Sequence, residues 1–337
     1  MQTLLAFDIG GTNSRALAAQ FDGAVMRPHT SMPKPELRQL KDISSLLEFV
    51  SQTIEVLGER PAATVIAAAG PSDGRRVLLT NWPGTPELAV EMLAKYSATK
   101  TTRLVNDLVA GAHGLAGELE LGRGDLFNPL DEWSREIAPE GNVVYVAPGT
   151  GLGAAGIVRE GAANPVVVGC ESQHTPMHYI CDDIGEVLDV MQSELNHPPT
   201  WEDVVSGRGL VHVYEIVSSM SGADVSDEPT AIDISKKALT GDPIAGRALE
   251  IYYRCLGRFA QLLALTFQPC TAVMFGGAST AANASFLADS GLIKEFRRGD
   301  VRAISELLRR PGLFWIERDL NLEGGLRLAS RLVRSNR

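Results

Sequence analysis

The stretch Asp8-Ile9-Gly10-Gly11-Thr12-Asn13 lies between two apolar runs, residues 3–7 and 15–19, and its reading decides the fold. The flanking runs are short and rich in strand formers, so the whole reads as a hairpin opening an N-terminal domain. Glycines at its tip let backbone N–H groups converge without side-chain obstruction, and such a concave set of donors binds phosphate oxygens. The plan recurs once. Residues 142–147 form an apolar run, Pro148-Gly149-Thr150-Gly151-Leu152-Gly153 a second glycine-rich turn, and a further apolar run follows to Val158. This is a weak internal duplication rather than a solenoid repeat. Either turn alone reads equally well as a plain hairpin; two at corresponding places favour phosphate clamps.

Outward from the first turn, strand and helix alternate, which argues for a mixed or parallel sheet. Residues 44–57 have helical apolar spacing with a Ser cap, 64–69 read as a buried strand, 86–95 as a helix and 102–105 as a strand. A helix begins at 107, so Asn106-Asp107 stands at a strand-to-helix junction, and residues 117–141 read as polar and irregular. The long helix at 244–268 stops before Pro269 and feeds a strand at 271–275 that ends on Gly276-Gly277, a favourable place for a ligand. Arg247, Glu250, Arg254 and Arg258 interrupt that helix, which marks it as a core element and not a membrane span.

Asp8 ends its strand as a carboxylate beside the first turn. There it can hold Mg²⁺ directly or through water, or serve as an Asx-turn acceptor. Thr12 and Asn13 can donate to phosphate or stabilise the turn. Asp107 can accept a proton from an attacking hydroxyl, a role that phosphoryl transfer requires, and either residue of the Asn106-Asp107 pair can also cap the following helix. Gly151-x-Gly153-x-x-Gly156 with Glu171 beyond matches a dinucleotide fingerprint, but residues 157–165 are too short and turn-like for its crossover helix. No G-x-x-x-x-G-K-[ST] segment occurs, so paired hairpins must hold any ATP.

The 45% hydrophobic fraction over 337 residues supports a sizeable core and roughly two domains. A formal charge of −10 without a long basic run argues against nucleic acid and anionic membranes as partners. ATP remains compatible, because backbone amides and a metal ion can carry its contacts. Four scattered cysteines, Cys170, Cys181, Cys255 and Cys270, suit neither a zinc cage nor a disulfide framework, and a reducing cytoplasm is expected. The run from Met1 to the Asp8 motif carries the expectation of no signal peptide.

Four motifs together resemble the bacterial-type glucokinases: Asp8-Ile9-Gly10-Gly11-Thr12-Asn13-Ser14-Arg15, Asn106-Asp107-Leu108, Ala147-Pro148-Gly149-Thr150-Gly151-Leu152-Gly153 and Val205-Ser206-Gly207-Arg208-Gly209-Leu210. The resemblance runs through nearly the whole chain in order. It implies an α/β, two-domain actin-like ATPase fold of the RNase H-like, hexokinase type, with a cleft between domains. Residues 1–110, completed by 319–337, would form the small domain and 111–318 the large one. It further implies ATP and Mg²⁺ as cofactors, glucose as substrate and a homodimer. Asp107 would take the proton from the sugar 6-hydroxyl and Asn106 would bond another hydroxyl. Glu171, His174 and Glu202 would hold the rest, and Gly276-Gly277 would pass close to the adenosine. The family has two glycines where this chain has Ser172-Gln173, which leaves mannose or an amino sugar open as acceptor. A filament-forming actin-like ATPase is the alternative from another class; the Glu171, His174 and Glu202 set argues against it. The zinc-binding cysteine cluster of the related ROK kinases is missing.

Overall fold

The computed structural model describes residues 1–337 except Thr12, 97–100, Arg135, Pro139, 161–163, 178–181, 224–227 and 336–337. The chain divides into two units, Met1–Arg123 with Asp319–Arg337, and Gly124–Arg318.

In the first unit, β1 (Gln2–Ile9) is buried from Thr3 onward, because it lies inside a sheet that is covered on both faces. It pairs antiparallel with β2 (Ser14–Phe21) and opposes Asp8 to Arg15, with residues 10–13 as the loop. On the outer side of β2 lie β3 (Met26–Pro28) and β4 (Glu36–Arg38). On the other side of β1, β5 (Ala63–Ala68) and then β8 (Thr102–Asn106) run parallel to it. Between them comes the small ribbon β6 (Arg76–Leu78) and β7 (Glu87–Ala89). Helix α1 (Ile43–Leu57) buries Leu46, Phe49, Val50, Thr53 and Leu57, one stripe at helical spacing, and Gly58 closes it at φ 69°.

Two local expectations change here. The cap of α1 is Asp42, not a serine: its carboxylate accepts from the Ser45 amide, and Ser45 returns a bond to the cap in a reciprocal box. Residues 86–95 are not an α-helix. Glu87–Ala89 pair with β6, and Val90–Leu93 make one 3-10 turn, so that Leu88, Val90 and Leu93 all reach the core. Helix α2 (Asp107–Glu120) carries helical structure past Gly117, because its small residues pack closely, as described below.

The second unit repeats the plan. An antiparallel meander of β10 (Asn142–Pro148), β11 (Leu152–Val158) and β12 (Val166–Cys170) lies on one side, and β13 (Cys270–Phe275) and β14 (Gly312–Trp315) run parallel to β10 on the other. The short β9 (Asn128–Pro129) pairs with β14. β11 is followed by β12 and not by a helix, which removes the dinucleotide fold for this turn. The helices between β12 and β13 are α3 (Asp182–Leu195), α4 (Trp201–Val204), α5 (Gly207–Met220), α6 (Ala231–Leu239) and α7 (Pro243–Thr266). Asp242 caps α7, whose Tyr252, Tyr253, Leu256 and Phe259 lie in the core. Between β13 and β14 run α8 (Ala278–Ala282), α9 (Ala284–Asp289), α10 (Leu292–Arg297) and α11 (Arg302–Leu307). Among the described residues no helix is long and apolar enough to cross a membrane.

The last helix, α12 (Asn321–Ser335), belongs to the first unit and buries Leu322, Leu326, Ala329 and Val333 against Leu4, Ala6, Ala63 and Val65. Each fully buried leucine is worth roughly 1.5–3 kcal/mol. Its approach to α2 depends on glycine: a Cβ on Gly324 would lie 1.7 Å from the Ala110 carbonyl oxygen, and one on Gly114 2.5 Å from that of Leu320. Backbone oxygen cannot yield as a side-chain tip does. Gly324→Ala should therefore lower the unfolding free energy by about 1–3 kcal/mol or more in urea melts. Gly246→Ala, in open space on α7, should raise it by up to about 1 kcal/mol.

Candidate active site

In the first unit, parallel pairing aligns the carboxyl ends of β1, β5 and β8: Asp8 lies opposite Ala67, and Ala68 opposite Asn106. The expected residues Asp8, Asn106 and Asp107 meet at this edge, where open α/β sheets bind ligands. Asp8 is buried; it accepts from the Arg15 guanidinium on one oxygen and from Asn321 Nδ2 at 3.3 Å on the other. Arg15 also pairs with Asp319. Burial pushes the Asp8 carboxyl up from its ordinary value, against the lowering pull of Arg15.

Asn106 caps α2, its Oδ1 accepting from the Leu108 amide at 2.8 Å and its Nδ2 donating to the Gly70 carbonyl at 3.2 Å. The cap holds Asp107 in the first turn, where its Oδ1 accepts from the Leu108 amide at 2.9 Å. Asp107 still meets solvent over part of its surface. Desolvation first, and the nearby Asp8 charge second, push its carboxyl up to about 7. A carboxyl in that range is matched to general-base work near neutral pH.

The first glycine turn is shaped by its own backbone. Gly10 N–H donates to the Asn13 carbonyl at 3.1 Å, and a Cβ on Gly10 would stand 2.6 Å from that oxygen. Trp82 Nε1 donates to the Gly10 carbonyl at 3.2 Å and anchors the turn to the core. Gly11 and Asn13 are exposed; Thr12 lies outside the described residues.

In the second unit, parallel pairing of β10 with β13 places the turn at residues 148–153 beside Gly276-Gly277. A Cβ on Gly277, at φ 90°, would fall 2.6 Å from the Pro148 carbonyl oxygen, so that position requires glycine, and one on Gly276 would meet the Tyr145 side-chain tip, 2.5 Å from its Oη. Gly149 N–H donates to the Gly151 carbonyl at 2.7 Å, and Gly207 N–H donates to the Gly149 carbonyl at 2.8 Å. Thr150 at the tip is exposed, Gly149 has open space where a Cβ would be, and Gly153 enters β11.

Glu171 follows β12 directly and heads the 3-10 turn Ser172–His174. His174 Nε2 lies 3.6 Å from Glu171 Oε2, and both side chains are half-exposed. Gln173 is buried and donates from Nε2 to the same Glu171 oxygen at 2.6 Å. The side chain that replaces a glycine is thus turned onto Glu171. Glu202, on α4, lies at the second glycine turn: Oε2 accepts from the Leu152 amide at 3.0 Å and Oε1 from Arg208.

Sequence reasoning gave no role to Arg15, Asp319, Asn321, Trp82 or Gln173. Arg15 stands inside the first motif, and strand pairing opposite Asp8 could have singled it out. Asp319 and Asn321 are more than 300 residues from Asp8 in sequence and carry no local signal.

The donor set bears on a metal ion. Among the described residues no three His, Cys, Asp or Glu side chains gather closely enough to hold one. Asp8 keeps lone pairs beyond those used by Arg15 and Asn321, which fits Mg²⁺ held through its own water shell, the habit of this reluctantly dehydrated ion.

Duplicated sheets, each with a glycine turn at the carboxyl ends of its parallel strands, define the actin-like ATPase class. The glucokinase family model matches residues 5–311, and the chain belongs to the glucokinase family. The glucokinase of Caulobacter sp. (strain K31) is 30% identical over 282 residues, 81% of this chain and 79% of that protein. The crystal structure of glucokinase from Balamuthia mandrillaris in complex with glucose superposes with a TM-score of 0.84 at 25% identity, covering 97% of this chain and 93% of that one. A ROK family glucokinase from Streptomyces griseus in complex with glucose and AMPPNP shares the fold, with a TM-score of 0.62 at 19% identity and 99% coverage of both chains.

The raised Asp107 carboxyl has a consequence for stability. Between the ordinary carboxylate range and about 7 the folded chain holds a proton that the unfolded chain has lost, so stability falls as pH rises through that window. Asp107→Asn should raise the melting temperature most at pH 8, less at pH 5, and leave it nearly unchanged only at or below the ordinary carboxylate range.

Proposed function

We propose that this chain transfers the γ-phosphoryl group of ATP to the 6-hydroxyl of glucose, giving glucose 6-phosphate and ADP, with Asp107 as general base. The observation that carries the assignment of the base is the Asp107 carboxyl, fixed by the Asn106 cap and raised to about 7. The hydroxyl oxygen forms a bond to the γ-phosphorus as the bond to the β,γ-bridging oxygen breaks. The electron pair leaves with ADP, and the hydroxyl proton passes to Asp107. Catalysis of this kind rests on positioning and charge stabilisation, not on a covalent intermediate.

The amides of the two glycine turns, with Thr12, Asn13 and Thr150, receive phosphate oxygens, and Gly276-Gly277 border the nucleotide. Asp8 would hold Mg²⁺ through water, and that ion, when bound, offsets charge on the transferring group. Asn106, Glu171, His174 and Glu202 meet the remaining sugar hydroxyls, which both donate and accept. Family membership favours a sugar kinase, with glucose as the acceptor, over a filament-forming ATPase. The protein works in the cytoplasm as a homodimer, and its acidic charge suits neither nucleic acid nor anionic membrane.

Asp107→Asn should lower kcat by roughly 10²–10⁴-fold in a coupled ATP and glucose assay while glucose binding persists. Wild-type kcat should rise with pH through an apparent pKa near 7 and then level off. Near-normal turnover by the variant contradicts the assigned base.

A further inference from the structure

The Ser206-Gly207-Arg208-Gly209 segment has no part in the chemistry above, yet it is built tightly against the second glycine turn. Ser206 caps α5 by accepting from the Gly209 amide at 3.0 Å. A Cβ on Gly209 would fall 2.6 Å from the carbonyl oxygens of Asp203 and Val204, so α4 and α5 meet in a corner that only glycine permits. The Gly207 amide at that corner binds the Gly149 carbonyl at 2.8 Å.

From the same corner Glu202 reaches the other end of the turn. Its Oε2 takes the Leu152 amide at 3.0 Å, and a Cβ on Gly151 would stand 2.9 Å from that oxygen. Arg208 covers Oε1, and the Glu202 side chain is only 14% exposed. A carboxylate next to a phosphate turn would repel the ligand if its charge were open; Arg208 neutralises it. These bonds and the Gly149 to Gly151 bond consume the amides of Gly149 and Leu152. They leave those of Thr150 and Gly151, at the exposed tip, as the donors for an anion.

We infer that Glu202, with Arg208 as its counter-charge, is a positioning residue for the nucleotide: it holds the Leu152 amide and so sets the second glycine turn for the phosphates. This rests on the reading of that turn as a phosphate clamp, and it is compatible with a sugar contact, since each carboxylate oxygen keeps a further lone pair. A residue that serves the sugar alone would leave nucleotide affinity untouched when no sugar is present.

The test is calorimetric titration of ADP into the wild-type protein, Glu202→Ala, Glu202→Met and Glu202→Gln without sugar, with thermal melts as a control on folding. Methionine keeps the length of the side chain with only a weak sulfur acceptor in place of the carboxylate, which covers the case of an unstable alanine variant. Glutamine keeps an oxygen that can accept from Leu152 and serves as the conservative rescue. The expected result is at least about tenfold weaker ADP binding for the alanine and methionine variants, with glutamine within about threefold of wild type. Unchanged affinity in the alanine or methionine variant overturns the positioning role and leaves the phosphate reading standing. Equal weakening in all variants also overturns it, because charge and not the hydrogen bond would then be acting. Failure of the wild-type protein to bind ADP overturns the phosphate reading itself.

Discussion

One guanidinium, that of Arg15, serves two carboxylates, Asp8 and Asp319, and leaves a third, Asp107, in their field. Parallel pairing of β1, β5 and β8 brings Asp8 and Asp107 to one edge, and the chain returns Asp319 to it just ahead of α12. Desolvation at this edge first, and the like charge of Asp8 second, raise a carboxyl above its ordinary value. The consequence falls on Asp107, whose carboxyl rises into the range where it can both take and release a proton near neutrality. The apolar packing of α12 on β1 and β5, and the glycine contacts of α12 with α2, keep these groups together against their repulsion.

The second unit solves a different problem with sterics. Its turn at residues 148–153 is hemmed in by Gly277, where a Cβ would fall 2.6 Å from the Pro148 carbonyl oxygen, and by Glu202 of α4, whose Oε2 lies 2.9 Å from where a Cβ on Gly151 would stand. Backbone bonds at Gly149 and Gly207, and the Glu202 bond to Leu152, then fix which amides point outward. Fixed donors suit phosphoryl transfer, since a preorganised dipole costs no reorganisation at the moment of reaction.

Much of this was legible in the sequence because it is local. The hairpin at Asp8–Asn13, its counterpart at residues 148–153, the junction at Asn106-Asp107 and the long helix ending before the Gly276 strand all follow from strand formers, glycine and helical spacing over a few residues. Residues 86–95 read as a helix from the sequence, whereas pairing with β6, a tertiary choice, drew the segment into a strand and a 3-10 turn. The Asp42 cap competes with neighbouring serines that have the same capability. Asp319 and Asn321 were out of reach, because only the return of α12 sets them beside Asp8. Glu202 was read for the sugar, and its bond to Leu152 depends on a turn 50 residues earlier.

The central claim is that desolvation first, and the neighbouring Asp8 charge second, raise Asp107. Carbon-13 NMR titration of the aspartate carboxyls, with the Asp107 signal assigned by its loss in Asp107→Asn, measures this directly. The account predicts a midpoint near 7 that moves down when Asp8 is replaced by Asn. A midpoint near 3.8, unmoved by the Asp8 substitution, would contradict it.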